Sequence, residues 1–229
     1  VGADAGDGDI ALTAIADMKK RNLKAFYSAM KAYLLTPAEL AEEAKKLEAA
    51  GLDEYTIMDS AGTMLPDQAA AYTEALADAL SIPVAFHCHN NLGLSAANAL
   101  AAAQNGAKIL DCGLMGMARS AGNLPTEVCV AMMQRHGQMM DVDLFGMLDF
   151  IENCLQPAME THNYHNPITP TDLTLGFSGC HSSFLKLFRQ TAAEKKVNLF
   201  RLITEVSAVN QKNPSAQLIE ETADRLLSE

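Results

Sequence analysis

Phe86-His87-Cys88-His89-Asn90-Asn91-Leu92-Gly93-Leu94 is the stretch whose reading decides the fold. It closes a short apolar run over 82–86 and opens into an alanine-rich helical pattern from Ser95. In an extended strand, side chains at i and i+2 share a face. His87 and His89 therefore project together while Cys88 points away. Two imidazoles on one face at a strand end can hold one metal ion, because neutral imidazole is a common ligand. Two polar histidines satisfied at an ordinary strand end are the competing reading. The pair alone does not choose between them.

Outward from this stretch the chain alternates. Upstream, 54–58 reads as a strand ending in Asp59-Ser60-Ala61-Gly62, and 66–80 as a helix. Residues 23–30 read as a strand. Thr36-Pro37-Ala38-Glu39 combines a cap, a first-turn proline and an acid three residues after the cap, so a helix starts there and stops at Gly51. Val1 to Ala3 looks like the end of a strand, with Asp9 as the cap of a helix reaching Arg21. Downstream come a helix over 95–105, a strand over 108–112, a glycine-rich loop and a helix over 125–135. Strand and helix alternating every ~30 residues is the signature of βα units on a parallel sheet.

From Asp141 the pattern turns helical, over 142–159, 184–196, 199–210 and 214–227, with a Pro- and Asn-rich connector at 162–171. The expected division is a barrel-like part at 1–140 and a helical extension at 141–229. Five strands fall short of the eight of a closed (β/α)8 barrel of about 250 residues. An open doubly wound sheet would suffice with five, but its G-x-G-x-x-G phosphate turn is missing, and Gly6-Asp7-Gly8 is no substitute. On pattern alone, barrel sector and open sheet stand level.

Composition bounds the function. The 229 residues carry a net charge of −11, which argues against nucleic acid and anionic membrane surfaces as partners. No apolar run approaches the ~20 residues of a membrane span, and no leader pattern opens the sequence. Five scattered cysteines (88, 112, 129, 154, 180) without a C-x-x-C favour a reducing cytoplasm. Cys112 and Cys129 read as small core residues, and Met115, Met117, Met139 and Met140 as core filler.

Three segments in order resemble one family. His87-Cys88-His89-Asn90-Asn91-Leu92-Gly93-Leu94 with Ala97-Asn98-Ala99 is similar to the HxHxxLGxxxAN signature of the HMG-CoA-lyase-like metal-dependent (β/α)8 barrels. Asp59-Ser60-Ala61-Gly62 looks like the family's turn after the sixth strand, and Arg119-Ser120-Ala121-Gly122-Asn123 like the loop after the eighth. Leu173-Thr174-Leu175-Gly176-Phe177-Ser178-Gly179, then Ser182-Ser183-Phe184-Leu185, resembles the C-terminal region of the 4-hydroxy-2-oxovalerate aldolase branch.

The resemblance implies an α/β fold, a partial TIM barrel of about strands 4 to 8, followed by the helical extension. The three preceding βα units, on the order of 100 residues, are expected outside this sequence. The family draws an aspartate ligand, a neighbouring arginine and the aldolases' histidine base from them. It implies a divalent metal, Mn2+ first with Mg2+ or Co2+ as alternatives, held by His87 and His89. Asn123 is a further ligand or a shaper of its turn, and Asn90 a hydrogen-bond partner that orients a ligand. Asp59, a candidate catalytic residue, hydrogen-bonds a ligand or lines the pocket, or else caps its loop. Arg119 is the candidate for meeting a substrate carboxylate. His181 is either an acid–base group or a solvated histidine at a helix start, in a region where the aldolases carry Tyr. His162 and His165 read as connector residues rather than a second metal site.

The leading activity is cleavage of a 4-hydroxy-2-oxo acid to pyruvate and an aldehyde. A condensing enzyme of the 2-isopropylmalate synthase type is the second reading, and a non-catalytic truncated barrel acting in an assembly the third. The absence of cysteine from 113–123 argues against the HMG-CoA lyase type. Expected partners are a small 2-oxo acid, an acylating aldehyde dehydrogenase bound through the C-terminal helices, and, because open sheet edges invite pairing, further copies of the chain.

Overall fold

The computed structural model describes residues 1–164 and 170–228. Five strands, β1 (Gly2–Asp4), β2 (Phe26–Met30), β3 (Glu54–Asp59), β4 (Val84–Cys88) and β5 (Ile109–Asp111), form one parallel sheet in sequential order. Helices α1 (Ala11–Lys20), α2 (Pro37–Ala49), α3 (Pro66–Ala79), α4 (Ser95–Gln104) and α5 (Thr126–Arg135) follow the strands in turn. Each packs against its neighbour in the series. The sheet has two unlike faces. Ala29, Ile57 and Phe86 lie side by side on the face that meets the helices and are essentially fully buried. On the other face Met58 pairs with His87, and His87 with Asp111, and all three retain solvent access. A doubly wound sheet carries helices on both faces. This sheet carries them on one.

Local chemistry sets most of the boundaries. Thr36 and Glu39 form the expected capping box: the Glu39 amide donates to Thr36 Oγ1 at 3.3 Å and the Thr36 amide to Glu39 Oε2 at 2.8 Å. Asp9 does not cap α1. It sits inside a 3₁₀ turn, Gly8–Ile10, and the Gly6 and Gly8 amides before α1 donate instead to Glu43 on α2, at 2.8 and 3.1 Å. The strand expected from Leu23 begins only at Phe26, because the Ala25 amide is taken by the Asp53 carboxylate at 2.7 Å.

Two burial expectations are corrected. Cys112 is exposed, since it follows the outermost strand of the sheet; Cys129 is buried as expected. Met139 and Met140 are 41% and 68% exposed, on a turn after α5 where Met139 takes a left-handed φ of 53°.

Beyond α5, helices α6 (Leu144–Phe150) and α7 (Gln156–Glu160) are joined by a π-type turn, Ile151–Leu155. Then come α8 (Pro170–Ser178), α9 (Leu185–Lys195), α10 (Leu199–Val209) and α11 (Ala216–Ser228). These last four enclose their own core around Leu175, Phe188, Leu202, Val206 and Ile219. Helix α8 is absent from the sequence reading, for Gly176 and its neighbours carry no helical periodicity. Among the described residues no helix is long and apolar enough to cross a membrane.

Candidate active site

The C-terminal ends of β3, β4 and β5 converge on one place. After β4 the chain runs on through His89, whose amide donates to the Asp59 carbonyl at 3.2 Å. The loop after β5 folds back over it: the Asn90 amide donates to the Gly122 carbonyl at 2.9 Å, and His89 and Asn123 pair as an antiparallel bridge. Main-chain bonds thus bring together two motifs that lie over thirty residues apart in sequence. The His87 and His89 rings stand 5.4 Å apart between centroids, at 71° to one another. His87 Nδ1 lies 3.4 Å from Asp111 Oδ2 on the neighbouring strand, which sets a carboxylate beside that ring. Sequence reading missed Asp111, although its place at the end of the next strand was a usable signal.

His89 is buried. Burial first, then the positive Arg119 and the neighbouring His87 ring, hold its pKa down to about 3, so the His89 ring is neutral at ordinary pH. A neutral imidazole offers a lone pair, and His89 Nδ1 has no hydrogen-bond partner; nor does Asn123 Oδ1 beside it. Leaving a buried polar atom unmade costs roughly 1–3 kcal/mol. A bound cation would relieve both, and the donor set, two imidazoles and an amide oxygen, suits a divalent metal with open positions. Among the described residues no three His, Cys, Asp or Glu side chains gather into a complete site.

Asp59 is fully buried and its carboxylate accepts the Thr63 and Met64 amides at 2.9 and 3.1 Å. Burial outweighs these bonds and raises its pKa to about 6, with His87 acting in the opposite direction. Arg119 reaches from the β5 loop to the Ser60 carbonyl at 3.0 Å and to Ser182 Oγ at 2.8 Å. His181 Nδ1 accepts the Ser183 amide at 3.2 Å and lies 2.8 Å from Ser183 Oγ, capping the turn into α9. Burial and the nearby Arg119 depress it to about 4. Of the predicted site residues, His87, His89 and Asn123 form one group, with Asp59 and Arg119 bordering it and His181 reached through Arg119. His162 is exposed, and His165 lies outside the described residues.

Three further sets of contacts were not read from sequence. Asn91 Nδ2 donates to Ser120 Oγ at 2.8 Å and to the Asp172 carbonyl at 2.9 Å, and Ser120 Oγ to Asp172 Oδ1 at 2.9 Å. This network fastens α8 to the loops that follow β4 and β5. The fit is close: a Cβ on Gly176 would sit 2.7 Å from Asn91 Cβ. Gly62, at φ +60°, lets the His89 carbonyl pass where a Cβ would approach within 2.7 Å. Lys31 closes β2 with Nζ 3.0 Å from Asp4 Oδ2 and 2.7 Å from the Lys212 carbonyl, tying the α10–α11 loop to the sheet.

A family model described as HMGL-like matches residues 8–153. The chain belongs to the HMGL-like family. Among sequence relatives, a 4-hydroxy-2-oxovalerate aldolase of Geobacillus genomosp. 3 is 40% identical over 177 residues, covering 77% of this chain and 52% of that protein. One of Brevibacillus brevis is 37% identical over 195 residues, covering 85% of this chain and 56% of that protein. The chain thus spans about half the length of these relatives. Among solved structures, the carboxyl transferase domain of Rhizobium etli pyruvate carboxylase superposes with a TM-score of 0.72 at 15% identity, over 100% of this chain and 41% of that one. HMG-CoA lyase from Brucella melitensis gives 0.56 at 22%, over 62% and 55%. At these identities the structures speak for the fold alone: the five-stranded parallel sheet is that of an HMGL-like α/β domain of the TIM-barrel type.

Proposed function

We propose that this chain belongs to a divalent-metal-dependent carbon–carbon lyase that cleaves a 4-hydroxy-2-oxo acid to pyruvate and an aldehyde. In this reading residues 1–140 are βα units of a partial TIM barrel and 141–229 a helical extension laid over its catalytic face. The observation that carries it is the buried, neutral His89 with an unpartnered Nδ1 beside the unpartnered Asn123 Oδ1. His87, His89 and Asn123 would hold Mn2+, or Mg2+ or Co2+ in its place, with the remaining donors and the general base supplied from outside these residues. When bound, the cation supplies Lewis-acid stabilisation for charge that develops on the 2-oxo oxygen.

The chain's own residues then do the rest. Asp111 sets a carboxylate beside the His87 ring, and Asp59 fixes the 59–64 turn with its carboxylate. Arg119, permanently charged and partly withdrawn from water, faces the substrate carboxylate. Breaking the C3–C4 bond leaves its electron pair on the pyruvate fragment as an enolate while the 4-hydroxyl loses its proton to become the aldehyde oxygen. His181, depressed to about 4, is a neutral acceptor able to pass a proton near that fragment. The acylating aldehyde dehydrogenase would pack on the C-terminal helices, where Phe145 and Phe177 are 81% and 72% exposed, and further copies of the chain along the open sheet edges. The five cysteines are free, in keeping with a cytoplasmic setting.

The test is pyruvate release from a series of 4-hydroxy-2-oxo acids with Mn2+ present, in wild type and His87→Ala. Release that is abolished in the variant supports the reading. Condensation of acetyl-CoA with a 2-oxo acid, and no cleavage, overturns it.

A further inference from the structure

Cys112 and Cys129 stand at the two ends of the loop that delivers Arg119, Ser120 and Asn123. Cys112 follows β5 directly. The next residue, Gly113, is locked to the far end of the loop: its amide donates to the Leu124 carbonyl at 3.1 Å, and its carbonyl accepts the Thr126 amide at 2.9 Å. The loop is therefore closed at its base, and Cys112 lies against the first turn of α5, which carries Cys129. Gly113 also pairs with Pro125 as an isolated bridge, which sets Cys112 beside the turn that leads into Cys129, and the two thiols are near enough to perturb one another. Cys112 is exposed and Cys129 buried.

We propose that Cys112 and Cys129 form a reversible disulfide, by exchange with a low-molecular-weight disulfide of the glutathione type, that clasps the base of this loop. The Cys112 thiolate attacks one sulfur of oxidised glutathione, the S–S bond breaks, and one glutathione thiolate leaves. Cys129 gives its proton to solvent and attacks the Cys112 sulfur, expelling the second. The two cysteines lose two electrons and one glutathione disulfide becomes two thiols, so the exchange balances. The division of roles follows from position: the exposed sulfur meets the reagent and the buried one resolves the adduct. The neighbouring Cys129 thiol, opposed by partial burial, brings Cys112 down to about 6, and Cys112 in turn pushes Cys129 up. Cys88 lies on the adjoining strand but is buried, with its thiol donating to the Ser95 carbonyl at 3.4 Å. This inference does not depend on the lyase reading.

The test treats the 229-residue chain with oxidised glutathione, blocks free thiols and maps the products by peptide mass. The expected product is a Cys112–Cys129 linked peptide that dithiothreitol reverses. Cys129→Ser should stop at a glutathione adduct on Cys112, and Cys112→Ser should take up nothing at Cys129. Exposed Cys154 is an internal reference, and an alkylating probe at neutral pH should label Cys112 about 10-fold faster. Amides of 113–123 should exchange more slowly in the linked form. A persistent adduct on wild-type Cys112 beside a free Cys129, a link through Cys88, or no reaction at Cys112 overturns the proposal. Unchanged exchange in the linked form overturns the clasp.

Discussion

Two kinds of scaffold meet at the candidate active site. The strand end bearing His87 and His89 is held by main-chain bonds: His89 to Asp59 on β3 and Asn90 to Gly122 in the loop after β5, which is itself closed by Asn123 to Gly116. The C-terminal helices reach the same place mostly through side chains: Asn91 to the Asp172 carbonyl, Ser120 to its carboxylate, Arg119 to Ser182. Main-chain bonds survive a change of side chain; side-chain bonds are lost singly. The donors can therefore be altered without dismantling their frame, whereas the cover over them comes away piece by piece.

The sharpest way to break that contrast is to attack the main-chain frame itself. Gly62→Ala puts a Cβ 2.6 Å from the Asn91 amide nitrogen and 2.7 Å from the His89 carbonyl, at a φ of +60° that alanine resists. Backbone atoms cannot swing aside as side chains do. The expected loss is about 3 kcal/mol or more, read as a lower urea midpoint at unchanged slope. Gly176→Ala is its counterpart on the cover, where the collision is with Asn91 Cβ. It should cost less, about 1–3 kcal/mol, and leave the His87–His89 pair in place.

Next comes the donor set. His89→Asn should weaken Mn2+ binding by at least about 100-fold in calorimetry, more than the effect typical of an orienting neighbour. The metal-free protein should lose less than about 2 kcal/mol, since the ring makes no hydrogen bond through Nδ1. A variant that unfolds outright would show that the imidazole holds the frame rather than occupying it.

The same residue gives a pH signature in metal-free protein. His89 is depressed to about 3, so unfolding takes up a proton below its unfolded value near 6.5. Its contribution is full above that pH and is lost as pH falls toward 3. Asp59, raised to about 6, has the opposite sign: it favours the fold most below about 3.8, and that advantage disappears as pH rises through 6. Between pH 6 and 4 the two slopes oppose. His89→Asn leaves Asp59 without its counterweight, so the variant should gain stability relative to wild type on acidification across that window, by about 1–3 kcal/mol. Parallel curves for the two proteins would show that the His89 ring is not as withdrawn from water as the fold implies.

What was legible in the sequence divides along the same line as the scaffold. The βα alternation, the capping box at Thr36 and the His-x-His pair are local patterns, and the structure contains each of them. The Asp59-Ser60-Ala61-Gly62 and Ala121-Gly122-Asn123 turns were visible as motifs because special backbone geometry restricts their residues. Long-range side-chain contacts left no such trace. Nothing about Asp172 in isolation says that it meets Ser120, and Gly176 reads as a helix breaker until Asn91 is seen beneath it. Asp9 was misread for the same reason: the group that satisfies the amides ahead of α1 is Glu43, on another helix.

The smallest effect should come from Ser182→Ala. It removes the hydroxyl that accepts from Arg119 Nη1 at an exposed position, while Arg119 Nη2 keeps the Ser60 carbonyl. One exposed bond contributes of order 0.5–1.5 kcal/mol, and water can replace it, so the urea midpoint should move little. Its value lies in what it isolates. If the guanidinium is held mainly from the β3 turn, Mn2+ affinity and the acid dependence described above should be unchanged, because both arise within the main-chain frame. A loss of Mn2+ binding in Ser182→Ala comparable to that in His89→Asn would mean that the C-terminal helices set the geometry of the metal donors. The two scaffolds would then be one cooperative unit.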